Sequence, residues 1–153
     1  MTEISHIIQT RNNFITLINN LTEKELNAIP TGFKNNIIWN FGHIVVVQQL
    51  LCYKNSGLEI SISQELIEKY KKGTSPQGFV SQSEIEELIN ISKHNMEKFL
   101  SDIKSKDFSK YKEYPTSYSV ILKSIEDAIK FNSLHEGLHF GYAMALRKLV
   151  KQN

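Results

Sequence analysis

The sequence predicts an all-α fold, a bundle of four long helices, on three observations. Apolar residues recur at three- and four-residue steps in four separate stretches. No stretch alternates apolar and polar residues as a half-buried strand would. Turn-forming runs, Pro30-Thr31-Gly32, Asn55-Ser56-Gly57 and 73–78, fall between the periodic stretches.

Ile4, Ile7, Ile8, Phe14, Ile15, Ile18 and Leu21 describe an amphipathic first helix over about 3–21. Thr22 and Glu25 stand at capping-box spacing, so a short second helical turn follows and ends at Pro30-Thr31-Gly32. From about 36 to 54 the chain is apolar almost all round, which makes this the most buried helix, closed by Asn55-Ser56-Gly57. Ser63 caps a short connecting helix, and the run 73–78, with Gly73, Pro76 and Gly78, reads as loop. A third long helix starts near Ser83, with Glu86 at capping-box distance, and carries Ile85, Leu88, Ile89, Met96, Phe99, Leu100 and Ile103 on one stripe. Polar residues around Phe108 and then Tyr114-Pro115 mark the next connection. A fourth helix over about 119–151 shows Leu122, Ile125, Ile129, Leu138, Tyr142, Leu146 and Leu149 at helical spacing. The connection over about 55–83 is long enough to carry the chain along the bundle, so that neighbouring helices need not be simple antiparallel pairs.

A chain of 153 residues buries a core of its own without disulfides, and with no repeat or low-complexity linker it reads as one domain over 1–153. The single cysteine, Cys52, lies in an apolar run and suits a buried hydrophobe better than a reactive thiol; the lack of a disulfide partner fits a reducing compartment. The first residues lack the basic and apolar regions of a signal peptide, and no stretch approaches a membrane span, so a cytoplasmic protein without membrane contact is expected. The net charge of +2 is spread in mixed-sign runs and only Arg11 and Arg147 are arginines, which argues against nucleic acid as a partner.

The chemistry-bearing signal is His135-Glu136-Gly137-Leu138-His139 inside the fourth helix. Residues four apart lie one above the other about 6 Å apart along a helix axis, so both imidazoles can converge on one ion. The letters also match the H-E-x-x-H motif of zinc metalloproteases. That reading lacks a third ligand, because no His, Asp, Glu or Cys follows His139, and Tyr142 stands where a longer protease motif needs glycine. The third ligand must come from elsewhere, and His43, in the most apolar helix, is the best placed. His43, His135 and His139 therefore form the expected metal site, with zinc or nickel as the expected divalent ion. Three neutral imidazoles leave a coordination position open, where a zinc-like ion lowers the pKa of water to about 7 or ionises a thiol. Glu136 is rotated about 100° from His135. It either extends to the open position as a catalytic base, or orients a ligand, or forms a surface ion pair. His6 and His94 fall on polar faces, whereas Arg11 falls on the apolar stripe of its helix and either snorkels outward or reaches an anion in a pocket.

Trp39-Asn40-Phe41-Gly42-His43-Ile44 and His135-Glu136-Gly137-Leu138-His139-Phe140-Gly141, with Tyr70 to Pro76 and Leu146-Arg147 in support, resemble the DinB-like superfamily, which includes the YfiT-type metal-dependent proteins. The resemblance covers nearly the whole chain. It implies an up-down-down-up four-helix bundle, commonly a homodimer, with a divalent ion on His43, His135 and His139. It further implies, from some relatives, S-transfer with a low-molecular-weight thiol. Tyr142 departs from the glutamine that relatives often carry after the glycine matching Gly141.

The expected function is a metal-dependent enzyme of thiol S-transferase or hydrolase type, acting on a small molecule in a bundle-end pocket lined partly by Trp39 and Phe131. The alternatives are a non-catalytic metal-binding or stress-response module and a structural homodimer. Gly137, Gly141 and Ala145 form a small-residue strip suited to close helix approach, either inside the bundle or at a dimer interface.

Overall fold

The computed structural model describes residues 2–151. Its elements in chain order are α1 (Thr2–Asn19), α2 (Glu23–Asn27), α3 (Ile37–Gln48), α4 (Gln64–Tyr70), α5 (Gln82–Ser105), β1 (Tyr114–Pro115), β2 (Ile121–Leu122) and α6 (Ile125–Val150). Beyond Gln48 the same rod continues as a π-helical turn, Gln49–Tyr53, and a 3₁₀ turn, Lys54–Ser56, before Gly57 closes it at φ 71.

The four long helices α1, α3, α5 and α6 bury two apolar clusters. One draws on the C-terminal half of α1, the N-terminal parts of α3 and α5 and the C-terminal end of α6; the other draws on the opposite ends of the same four helices. That partition fixes the directions: α1 and α6 run one way, α3 and α5 the other. The bundle is up-down-down-up, and the long connection through α4 is what lets α3 and α5 run parallel.

Between the two clusters, each helix contributes polar side chains to the interior: Arg11 from α1, Gln48 from α3, Ser92 and Asn95 from α5, and Asn132 and Glu136 from α6 are all buried. Arg11 does not snorkel. It is only 2 % exposed and grips Glu136, which is fully buried, through Nε and Nη2 at 3.0 and 2.8 Å. Arg11 also donates to the Ile44 carbonyl and to Ser92 Oγ, while Asn132 Nδ2 donates to Glu136 Oε1. A buried guanidinium is thus met by acceptors from three other helices, the condition under which such a charge is tolerated.

Three details depart from the sequence reading. The third long helix starts two residues earlier, capped by Ser81 with Glu84 completing the box, because Ser81 Oγ reaches the Glu84 amide. Residues before α6 form not helix but a small antiparallel hairpin, Tyr114 opposite Leu122 and Pro115 opposite Ile121; Pro115 lacks an amide proton and suits so short a strand. On α6 the buried stripe runs through Ile125, Ala128, Ile129, Asn132, Glu136, Ala143, Leu146 and Val150, whereas Leu138 is 53 % and Tyr142 38 % exposed. Apolar periodicity drifted off the true face because two of its central positions are polar.

Candidate metal site and its pocket

His43, His135 and His139 come together. One ring nitrogen of each lies within 4.8 Å of the others, and ring centroids are 4.5–5.2 Å apart. His43 comes from the middle of α3; His135 and His139 come from one face of α6, a single turn apart. His6 and His94 are exposed and take no part.

Two of the rings are oriented by hydrogen bonds on the side away from the cluster. His43 Nδ1 donates to the Tyr70 carbonyl at 2.7 Å, and His139 Nδ1 donates to Asn40 Oδ1 at 2.7 Å. The Asn40 amide is itself fixed, its Nδ2 donating to the Asn36 carbonyl and to Asn35 Oδ1, so its oxygen must be the atom that faces the ring. With the proton on Nδ1, each Nε2 carries a free lone pair. This is the arrangement of an oriented metal-ligating imidazole. Trp39, expected in the pocket wall, instead stacks on His43 with centroids 4.8 Å apart and donates Nε1 to Thr74.

The Tyr70 contact depends on Gly42. A Cβ at that position would stand 2.5–2.7 Å from the Tyr70 ring, so only glycine lets α4 lie close enough for its last carbonyl to reach His43.

Burial depresses the basicity of the cluster. His135 is held down to about 3 by burial and then by the charges His139 and His43 would carry; His139 is held to about 4 by burial and then by His43. His43 is also lowered by burial, against the opposing pull of the Tyr70 carbonyl. All three are neutral at pH 7 and have no proton to lose to a metal.

The donor set fits a divalent ion. Three imidazoles converge, two are pinned by acceptors, and His135 Nδ1 is a buried polar atom without a hydrogen-bond partner among the described residues. In a tetrahedral site nitrogen ligands stand about 3.4 Å apart, given Zn–N bonds near 2.1 Å, so modest ring rotation closes the present spacing.

The cluster opens on a pocket of about 240 Å³ lined by Val47, Leu51, Phe131 and Leu138, by Lys72, and by Tyr114, Thr116, Ser117 and Tyr118 of the hairpin. Glu136 is not among the lining residues. Both its oxygens are engaged by Arg11 on the core side of α6, so the base expected there is absent from the pocket. Sequence reasoning missed Asn40 and the Tyr70 carbonyl. Asn40 had a usable signal, three residues before His43 on the same helix face; a backbone carbonyl carries none.

The sequence profile of the DinB superfamily matches residues 6–143. The chain belongs to the DinB superfamily. A solved structure described as a conserved protein from Enterococcus faecalis has the same fold, with a TM-score of 0.69 at 14% identity, over 99% of this chain and 96% of that one. No curated protein matches the chain. Membership agrees with the up-down-down-up bundle and with a histidine cluster that could hold a metal. Among the described residues no helix is long and apolar enough to cross a membrane.

Proposed function

We propose that this DinB-superfamily protein is a metal-dependent enzyme that holds one divalent ion, zinc or nickel, on His43, His135 and His139 and acts on a small molecule as a thiol S-transferase or hydrolase. The observation that carries this reading is the pocket: three converging imidazoles, two of them oriented by hydrogen bonds, line a largely apolar hollow rather than a closed core. A structural ion would be shut in by a fourth protein ligand.

When bound, the ion supplies Lewis acidity, ionising a donor or polarising an oxygen near neutral pH. The chain does the rest. Asn40 and Tyr70 hold two imidazoles in the donor tautomer. Phe131, Leu138 and Tyr118 give the pocket apolar walls, and Phe131 stacks on His135 with centroids 5.9 Å apart. No carboxylate lines the pocket among the described residues, so ionisation of a bound thiol or water would fall to the ion.

The same lack of an acid-base pair supports a second reading, a metal-binding or stress-response module without turnover. A homodimer is proposed with either reading. The strip Gly137, Gly141 and Ala145 is exposed on α6, flanked by exposed Leu134, Leu138, Tyr142 and Leu149, and a Cβ at either glycine would meet nothing within 4 Å. Packing inside the bundle therefore does not account for that strip. A reducing cytoplasm suits a chain whose one cysteine is buried with its thiol pushed up to about 12.

Elemental analysis of untagged protein purified without chelator is expected to give about one divalent ion per chain, and His43→Ala to abolish it while the helical signal stays. Metal-free protein that takes up no zinc or nickel on reconstitution overturns both readings. Turnover of a thiol with an electrophile panel separates enzyme from binder.

A further inference from the structure

We infer that Lys72 recognises an acidic group on the small molecule that enters the histidine pocket, so that the natural ligand is an anion with an apolar body. The inference rests on the reading of the three histidines as a metal site.

Charge balance points the same way. Three neutral imidazoles leave a divalent ion with its full double charge, and no carboxylate among the lining residues offsets it. The nearest acid in sequence, Glu136, is neutralised by Arg11 behind the helix. Lys72 adds a further positive charge to the same pocket, where every other non-histidine lining residue is uncharged. A ligand that carries its own negative charge is therefore the complement of this site.

The backbone turn that carries Lys72 is held in place. Lys72 precedes Gly73, whose φ of 87 is a conformation that favours glycine, in a turn closed by the Thr74 amide donating to the Lys71 carbonyl at 3.2 Å. Thr74 Oγ1 ties that turn to Lys69 and Lys71, and Trp39 Nε1 ties it to the helix that carries His43. Lys69 and Lys71 spend their ammonium groups on Glu84 and Glu68; Lys72 makes no ion pair among the described residues. Phe131, Leu138 and Tyr118 line the same hollow, and its volume of about 240 Å³ suits a metabolite smaller than a drug-sized ligand.

The test uses cobalt-loaded protein titrated with 3-mercaptopropionate and with its neutral counterpart 3-mercaptopropionamide, binding being read from the thiolate-to-cobalt absorption. The acid is expected to bind about fivefold tighter at low salt, the scale of a solvent-facing ion pair, with the preference shrinking as salt is added. Lys72→Ala should erase the preference and leave the affinity for the amide unchanged; Lys72→Glu should reverse it. Lys72 is exposed, so neither variant threatens the fold. Equal affinities in the wild type, or a preference that persists in Lys72→Ala, overturn the inference and leave the metal site standing. Protein that takes up no cobalt overturns the metal reading, and this inference with it.

Discussion

Arg11 and Glu136 form a buried bidentate ion pair, 2.8 Å at its shortest, on the core side of the helix whose other face carries His135 and His139. The pair joins the first helix to the last and sets the rotation of α6 about its axis. With Glu136 held against Arg11, His135 and His139 stand against His43 of α3.

Breaking that pair leaves a buried charge without its partner. Glu136→Ala is therefore expected to destabilise the protein by about 3–5 kcal/mol. Replacing both partners, Arg11→Met with Glu136→Leu, should recover much of the loss, because apolar groups of similar volume remove the desolvation penalty as well as the attraction. Urea unfolding of the two variants checks this; a Glu136→Ala protein as stable as wild type would show that the pair carries no weight.

The four helices, the up-down-down-up class and the three-histidine cluster were legible in the sequence because each rests on spacing along one helix or on motif resemblance. In α6 spacing alone is not enough. Its buried face passes through Asn132 and Glu136, which a hydrophobicity pattern counts as surface, so the apolar spacing runs through Leu138 and Tyr142, which are exposed. The role of Glu136 stays open in the sequence for the same reason: its partner is 125 residues away on α1, and nothing local announces it. Arg11 on an apolar stripe was the one hint. The hairpin facing the pocket was hidden by its shortness, two residues per strand.

Gly42 and Gly137 make opposite predictions for the same substitution. At Gly42 an added methyl meets the Tyr70 ring at 2.5 Å, so α4 must move and its carbonyl leaves His43; metal affinity should fall about 10–100-fold, as for loss of an orienting partner. At Gly137 the methyl meets nothing within 4 Å, and the gain in helix propensity, about 0.5–1 kcal/mol, should raise stability with no change in affinity for the monomer. Competitive zinc titration and thermal melts of both variants decide; an unchanged affinity in Gly42→Ala would break the link drawn between α4 and His43.

Asn40→Ala removes the acceptor that holds His139 in its donor tautomer. Affinity for zinc should drop about 10–100-fold while the helical content is kept, since the orienting bond and not the ligand is lost. Isothermal titration at fixed pH measures the drop directly. Wild-type affinity in this variant would mean that packing alone orients His139.

The depressed histidines give the metal-free protein a defined response to acid. Unfolded histidine titrates near 6.5, whereas in the fold His135 is held at about 3 and His139 at about 4, with His43 lowered as well. Between those values the unfolded chain binds more protons than the folded one, so stability rises with pH. The contribution is complete above about pH 6.5, declines as pH falls below it, and is spent once the folded imidazoles themselves take up protons near pH 3–4. Metal-free protein should therefore melt lower at pH 5 than at pH 7.5. The zinc-loaded protein should hold a higher melting temperature than the metal-free form at pH 7.5, because only the folded state binds the ion tightly. Imidazole resonances of the metal-free protein followed by NMR give the direct check: His135 and His139 staying neutral through pH 5, with His43 titrating below its ordinary range, agree with the cluster as described, and any of the three titrating as a free imidazole places that ring in solvent.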